Sequence, residues 1–259
     1  MKPLTVFKLG VTSYDEAISF QFELVERVRE TKGKNSFLIL LEHQPVITLG
    51  KNANINNILV SPEILKKKNI ELKQANRGGD VTYHGPGQLI GYPIISLAHH
   101  KKTMRNYVRT VEQTIIKSLA RFDISSHTKD DKSAGVWVNT AKSLVGGKND
   151  PSQDCIPNNI DASNGANEHK IGFIGMRVSS GITYHGFSLN INNELDNFNL
   201  INPCGMKNPK ITSLSELLGK NIPISSFIKE YLDVFKELFN TEIIEVKTHL
   251  SYIPENIPT

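Results

Sequence analysis

The chain has 259 residues, a formal net charge of +4 and two cysteines, Cys155 and Cys204. That length buries a sizeable core in one large domain without covalent staples, and two cysteines are too few for a disulfide-dependent scaffold, so reduced thiols are expected. No stretch approaches the ~18 uninterrupted apolar residues of a membrane span. The slight positive charge suits an acidic protein partner as well as an ordinary solvated surface, and neither a nucleic acid nor a membrane is expected as a partner.

Residues 4–9 read as a first strand. Ser13 and Glu16 form a capping box ahead of Ala17, Ile18, Leu24, Val25 and Val28, whose spacing predicts an amphipathic helix ending near Gly33. The apolar run 36–41 suits a buried strand that delivers His43 and Pro45 to a loop. Ser61-Pro62-Glu63 opens another helix, with serine at the N-cap and proline at N1. Residues 70–75 and 88–97 read as strands on either side of a run, 77–88, that holds four glycines and a proline. In a helix interior glycine costs about 1 kcal/mol and proline about 3, so this run is expected to be a tight loop anchored at both ends by the sheet.

Tyr107, Val108, Val111, Ile115 and Leu119 predict a long helix over 103–122. Residues 136–138 begin a second strand group, and 170–192 hold two strands joined at Ser179-Ser180-Gly181. Between these, about 146–168 is rich in Asn, Asp, Ser, Gly and Pro and is expected to be a disordered polar insertion. Helices at 215–218 and 225–239 and a strand at 242–246 close the chain. Strands and helices without regular βαβ alternation predict an α+β class, and the whole of 1–259 is read as a single domain.

The run Arg77-Gly78-Gly79-Asp80-Val81-Thr82-Tyr83-His84-Gly85-Pro86-Gly87-Gln88 resembles throughout a loop found in the octanoyltransferases of lipoate biosynthesis. His43-Gln44-Pro45-Val46-Ile47-Thr48-Leu49-Gly50 resembles a second segment of that family. Lys170-Ile171, Gly175-x-Arg177-Val178, His185-Gly186, Leu189-Asn190 and Asn202-Pro203-Cys204-Gly205 follow in the family's order and spacing, so the resemblance spans roughly residues 4 to 220. It implies the fold of the biotin and lipoate protein ligase catalytic domains. It also implies transfer of an octanoyl group from octanoyl-acyl carrier protein to acceptor lysines, without a cofactor. Those lysines belong to lipoyl domains of 2-oxoacid dehydrogenase complexes and to the glycine cleavage H protein. The compartment implied is the mitochondrial matrix in a eukaryote and the cytoplasm otherwise.

Moving an acyl group from one thioester to another is nearly isoenergetic, so cysteine is the logical nucleophile for such a transfer. A free thiol has a pKa of about 8.5 and is mostly protonated at neutral pH, so catalysis calls for a nearby cation. By the resemblance Cys204 is the nucleophile and Lys170 its partner. Lys142, after Val136-Trp137-Val138, imitates the same strand-to-lysine step and competes with Lys170, while Cys155 falls in the polar insertion as a bystander. Arg77 to His84, Gly172-Phe173-Ile174 and His185-Gly186-Phe187 match the family's three acyl-contacting stretches, whose backbone N–H groups would stabilise an oxyanion. No His-x-x-x-His or Cys-x-x-Cys spacing suggests a metal. Two rivals remain: an ATP-dependent lipoate or biotin ligase on the same fold, which needs no cysteine, and a non-catalytic acyl-binding protein.

Overall fold

Alternation of apolar side chains decides what each face of the main sheet presents. In a computed structural model, described over residues 1–129, 134–140 and 167–246, strand β1 (Lys2–Thr12) is followed by helix α1 (Tyr14–Glu30) and strand β2 (Phe37–His43). Phe37, Ile39 and Leu41 pack toward Ala17, Phe20 and Leu24 of α1. Leu38 and Leu40 point the other way, into a larger core with α3 (Met104–Ala120) and a C-terminal helix, Ile224–Phe239. Period-two side-chain direction thus sandwiches the sheet between helices. Ser13 caps α1 in the expected capping box, and Thr103 caps α3 by accepting from the Asn106 N–H.

The remaining elements in chain order are β3 (Val46–Leu49), α2 (Pro62–Lys67), β4 (Glu71–Gln74), β5 (Val81–His84), β6 (Gln88–Ile94), β7 (Ser126–Thr128), β8 (Gly135–Asn139), β9 (Glu168–Ser179), β10 (Ile182–Asn190), α4 (Leu214–Leu218), α5 (Ile224–Phe239) and β11 (Thr241–Val246). An eight-stranded mixed sheet runs in the order β11-β1-β2-β6-β10-β9-β8-β7, and β4-β3-β5 form a small second sheet. The β9–β10 hairpin turns on Ser180 (φ 50°) and Gly181 (φ 77°), two left-handed residues that match the twist of the strands.

Two expectations need correction. The run 77–88 is not loop throughout: Val81 to His84 pair with Leu49 to Val46 as β5 against β3. Glycine and proline punctuate the ends of the run, but the β-branched and aromatic residues between them favour extended backbone, and a partner strand completes it. Nor does one sheet anchor the run, because β4 belongs to the small sheet and β6 to the large one. The run is the bridge between the two. A smaller difference concerns Ser61, which occupies the N-cap of α2 without a side-chain cap bond.

Lys142, Cys155 and residues 146–166 of the expected insertion lie outside the described residues. The chain on either side of that gap is well placed: Asn139 pairs with Glu168, and the Thr140 hydroxyl donates to the Asn167 carbonyl at 3.3 Å. β8 and β9 are therefore neighbouring strands whose ends already meet. Replacing residues 143–165 by a short Asn-Gly turn is expected to keep both the melting temperature and acyl transfer close to wild type. A collapse of either would mean that the segment packs against the site.

Candidate active site

A cavity with about 500 Å³ of empty space, its open mouth included, lies on the main-sheet face that carries α1 and the small sheet. Its wall comes from both sheets. β5 contributes Thr82 and His84, whereas its alternate residues Val81 and Tyr83 turn into a separate apolar cluster with Phe173 and Phe198. β6 supplies Ile90 and Tyr92, α1 supplies Tyr14, and β10 supplies His185 to Ser188. Arg77 closes one side. Its guanidinium, mostly buried, donates to the Thr48 carbonyl at 2.7 Å and to the Thr48 hydroxyl at 2.8 and 3.1 Å. Gly50 has to be glycine, because a Cβ there would overlap the backbone carbonyl of Gly79 and lie 2.9 Å from an Arg77 nitrogen.

Cys204 stands at the mouth of this cavity, exposed and in no disulfide among the described residues, on the single turn Pro203–Gly205. Its backbone is left-handed (φ 57°, ψ 25°), an uncommon and strained state for a residue with a Cβ. Neighbours hold the turn in that shape. The Gly205 N–H donates to Asn202 O at 3.0 Å and the Met206 N–H to Pro203 O at 3.1 Å, while the Asn202 N–H donates to Asn57 O at 2.7 Å. Asp80 accepts from the Asn54 and Val81 N–H groups and from the Asn57 amide, and its Oδ2 would touch a Cβ at Gly205. The glycine-rich run and the cysteine turn are thereby fastened together.

Lys170 reaches the same sulfur from β9. A register shift between Val136 and Trp137 leaves Ile171 as an extra residue in the β8–β9 ladder. Lys170 and Phe173, three apart, then share one face, while Ile171 and Ile174 both join the large core. The bulge aims the lysine. Lys170 is 0% exposed, and its Nζ donates to Ala134 O at 2.8 Å and lies 4.0 Å from Cys204 Sγ, near the faces of Trp137 and Phe173. Backbone bonds from the Lys170 N–H to Lys210 O and from the Thr212 N–H to Lys170 O fix the chain leaving Cys204 alongside β9.

Gly135 makes room for that side chain. It has φ +137°, and a Cβ there would overlap the backbone carbonyl of Gly172 and sit 2.7 Å from Lys170 Cε. Gly135→Ala is expected to displace the ammonium and cut acyl transfer on the order of 10²-fold. Steady-state rates and a melting curve check this together, since a fall in stability alone would not lower turnover by that factor.

The histidines around the cavity are neutral. Burial pushes His185 down to about 3 and His43 down to about 4, and holds His84 well below its ordinary value, with the neighbouring His43 adding to the effect. Tautomers follow from partners. Gln88 gives its amide N–H to Asn190 Oδ1 at 2.9 Å, so its oxygen accepts from His84 Nδ1 at 2.7 Å. His43 Nδ1 faces the Thr12 carbonyl, so its Nε2 accepts from the Tyr92 hydroxyl at 2.7 Å. His185 is itself left-handed (φ 52°), with its N–H held by the buried Gln21 side chain at 2.8 Å. As pH falls from about 6.5, the unfolded chain binds protons that these buried rings refuse until about pH 4 or below, so stability decreases across that window. The melting temperature is expected to drop by several degrees between pH 7 and pH 4.5; an unchanged value would mean the rings are not held neutral.

Of the residues singled out from the sequence, Arg77, Gly79, Thr82, His84, Phe173, Ile174, His185, Gly186, Phe187 and Cys204 line the cavity, and Lys170 meets Cys204. Gly78, Asp80, Val81, Tyr83 and Gly172 do not line it. Strand alternation turns Val81 and Tyr83 away, Asp80 ties down loops, and Gly172 packs under Val136. Tyr14, Ile90, Tyr92, Gly175 and Ser188 were missed. Alternation along β6 was a usable signal for Ile90 and Tyr92, and none existed for Tyr14.

A family model described as the lipoyl protein ligase A/B catalytic domain matches residues 13–236. The chain belongs to this family. Its curated relatives include the octanoyltransferase of Desulforamulus reducens, 36% identical over 240 residues that cover 92% of each chain. The octanoyltransferase of Myxococcus xanthus is 35% identical over 95% of this chain, which spans only 62% of that relative. Solved structures of similar fold include a bi-partite lipoate protein ligase from Thermoplasma acidophilum, with a TM-score of 0.68 at 13% identity over 97% of this chain and 89% of that one. Lipoate-protein ligase A bound with ATP gives 0.66 at 12% identity, covering 97% and 92%. These bear out the α+β ligase-type fold of the family.

Proposed function

We propose that the protein is an octanoyltransferase of lipoate biosynthesis that works through a thioester on Cys204. The octanoyl chain occupies the cavity, and the Cys204 sulfur attacks the carbonyl of an octanoyl thioester on a carrier protein. The carrier's thiol leaves with a proton. The ε-amine of an acceptor lysine on a lipoyl domain or the glycine cleavage H protein then attacks the enzyme thioester, forming an amide, losing a proton and freeing Cys204. Lys170 favours the anionic sulfur in the first step and takes part in deprotonating the amine in the second.

One observation carries this reading: the nitrogen of a buried lysine 4.0 Å from an exposed thiol, at the mouth of a largely apolar cavity. The identity to octanoyltransferases over most of the chain supports the acyl group and the reaction class. Intact mass after mixing with octanoyl carrier protein tests it. An adduct of one octanoyl group, discharged by a lipoyl domain, is expected. No adduct, with transfer only from free octanoate and ATP, would make the protein a ligase.

A further inference from the structure

Three of the eight large apolar side chains that are well exposed among the described residues fall within one ten-residue segment. Ile55 is 60% exposed, Leu59 51% and Ile64 42%. Scattered exposed aliphatics need no explanation, but three within ten residues on one segment do. The segment is fastened to the nucleophile's own loop: the Leu59 N–H donates to Leu200 O at 2.8 Å, Ile58 bridges Ile201, and Asn57 O accepts from the Asn202 N–H. These side chains are the rim next to the reacting sulfur.

The rim is framed by positive charge. Residues 51–68 carry Lys51, Lys66, Lys67 and Lys68 against one carboxylate, Glu63, and all five are exposed. On the other side of Cys204, Lys207 and Lys210 are exposed as well. An apolar centre bordered mainly by positive charge fits a protein whose matching face is apolar with an acidic border.

Reach decides which substrate protein that is. An acyl group on a carrier arrives on a long flexible arm, so the carrier tolerates docking at a distance. An acceptor lysine offers only its own four methylenes, so its domain has to sit on the surface adjoining Cys204. Building on the functional reading above, we infer that Ile55, Leu59 and Ile64, with Lys66, Lys67 and Lys68 around them, form the docking face for the acidic, lysine-bearing acceptor domain.

The test uses the full chain, octanoyl carrier protein as donor and an isolated lipoyl domain as acceptor, with two variants: Ile55→Ser/Leu59→Ser and Lys66→Glu/Lys67→Glu/Lys68→Glu. Both are expected to raise the KM for the lipoyl domain about tenfold or more. The single-turnover rate of Cys204 acylation by the carrier, and discharge of that thioester by hydroxylamine, should stay at wild-type values. The lysine variant should also lose most of the salt dependence of the acceptor KM. An unchanged acceptor KM in both variants overturns the inference, and so does a selective loss of acylation by the carrier, which would give the face to the donor. Should the serine variant melt early, the lysine variant decides, since its side chains are exposed. Failure of the functional reading is recognised separately, because wild-type Cys204 would then take up no octanoyl group at all, and the docking inference would fall with it.

Discussion

Cys204→Ser is expected to abolish the acyl-enzyme adduct and to lower octanoyl transfer by about 10³-fold or more. The substitution changes one atom at an exposed site, so the fold and the cavity should survive. What is lost is a sulfur nucleophile beside an ammonium, and a hydroxyl is barely ionised at neutral pH in the same surroundings. The strained backbone adds to the diagnosis, since serine has no easier access than cysteine to the left-handed conformation recorded at φ 57°. Intact mass after incubation with octanoyl carrier protein reads the adduct directly. Cys155→Ser is the matching control and should keep both adduct and turnover. Loss of the adduct in that control, with retention in the Cys204 variant, would reassign the nucleophile.

Lys170→Met should cut transfer on the order of 10²-fold. The loss follows from geometry. The Lys170 nitrogen lies 4.0 Å from the sulfur, within reach of the groups that exchange protons as the acyl group passes through it. Methionine keeps most of the stem in a site that is completely buried, which limits the cavity penalty that alanine would add. Lys142→Ala is the comparison. Loss of transfer in that variant, with Lys170→Met unimpaired, would put the second catalytic group before the insertion. Full activity in both would mean that neither lysine serves the reaction.

Much of this site was legible as ordered blocks of residue types. The glycine-rich run, His185-Gly186 and Asn202-Pro203-Cys204-Gly205 stood out because glycine, proline, histidine and cysteine carry meaning one residue at a time. A capping box and helical spacing placed α1, and helical spacing placed α3, within a few residues, since both signals are local. Cavity membership was less legible within the blocks. Val81 and Tyr83 alternate with Thr82 and His84 in the same motif, yet they face the opposite side, because the motif contains a strand and strand neighbours point apart.

The amino-acid sequence by itself determined the α+β class, the main helices and the family to which the chain belongs, and it singled out Cys204 as the candidate nucleophile, all from local pattern and residue chemistry. Only the tertiary structure decided that the glycine-rich run joins two sheets, that Tyr14 of α1 and Tyr92 of β6 wall the cavity, and that Lys170 reaches Cys204. The last of these depends on the bulge at Ile171, the space above Gly135 and the pairing of residues 210–212 with Lys170. Each is a relation between segments far apart in the chain. Backbone pairing and packing set such relations, and no single segment's composition encodes the partner it will meet.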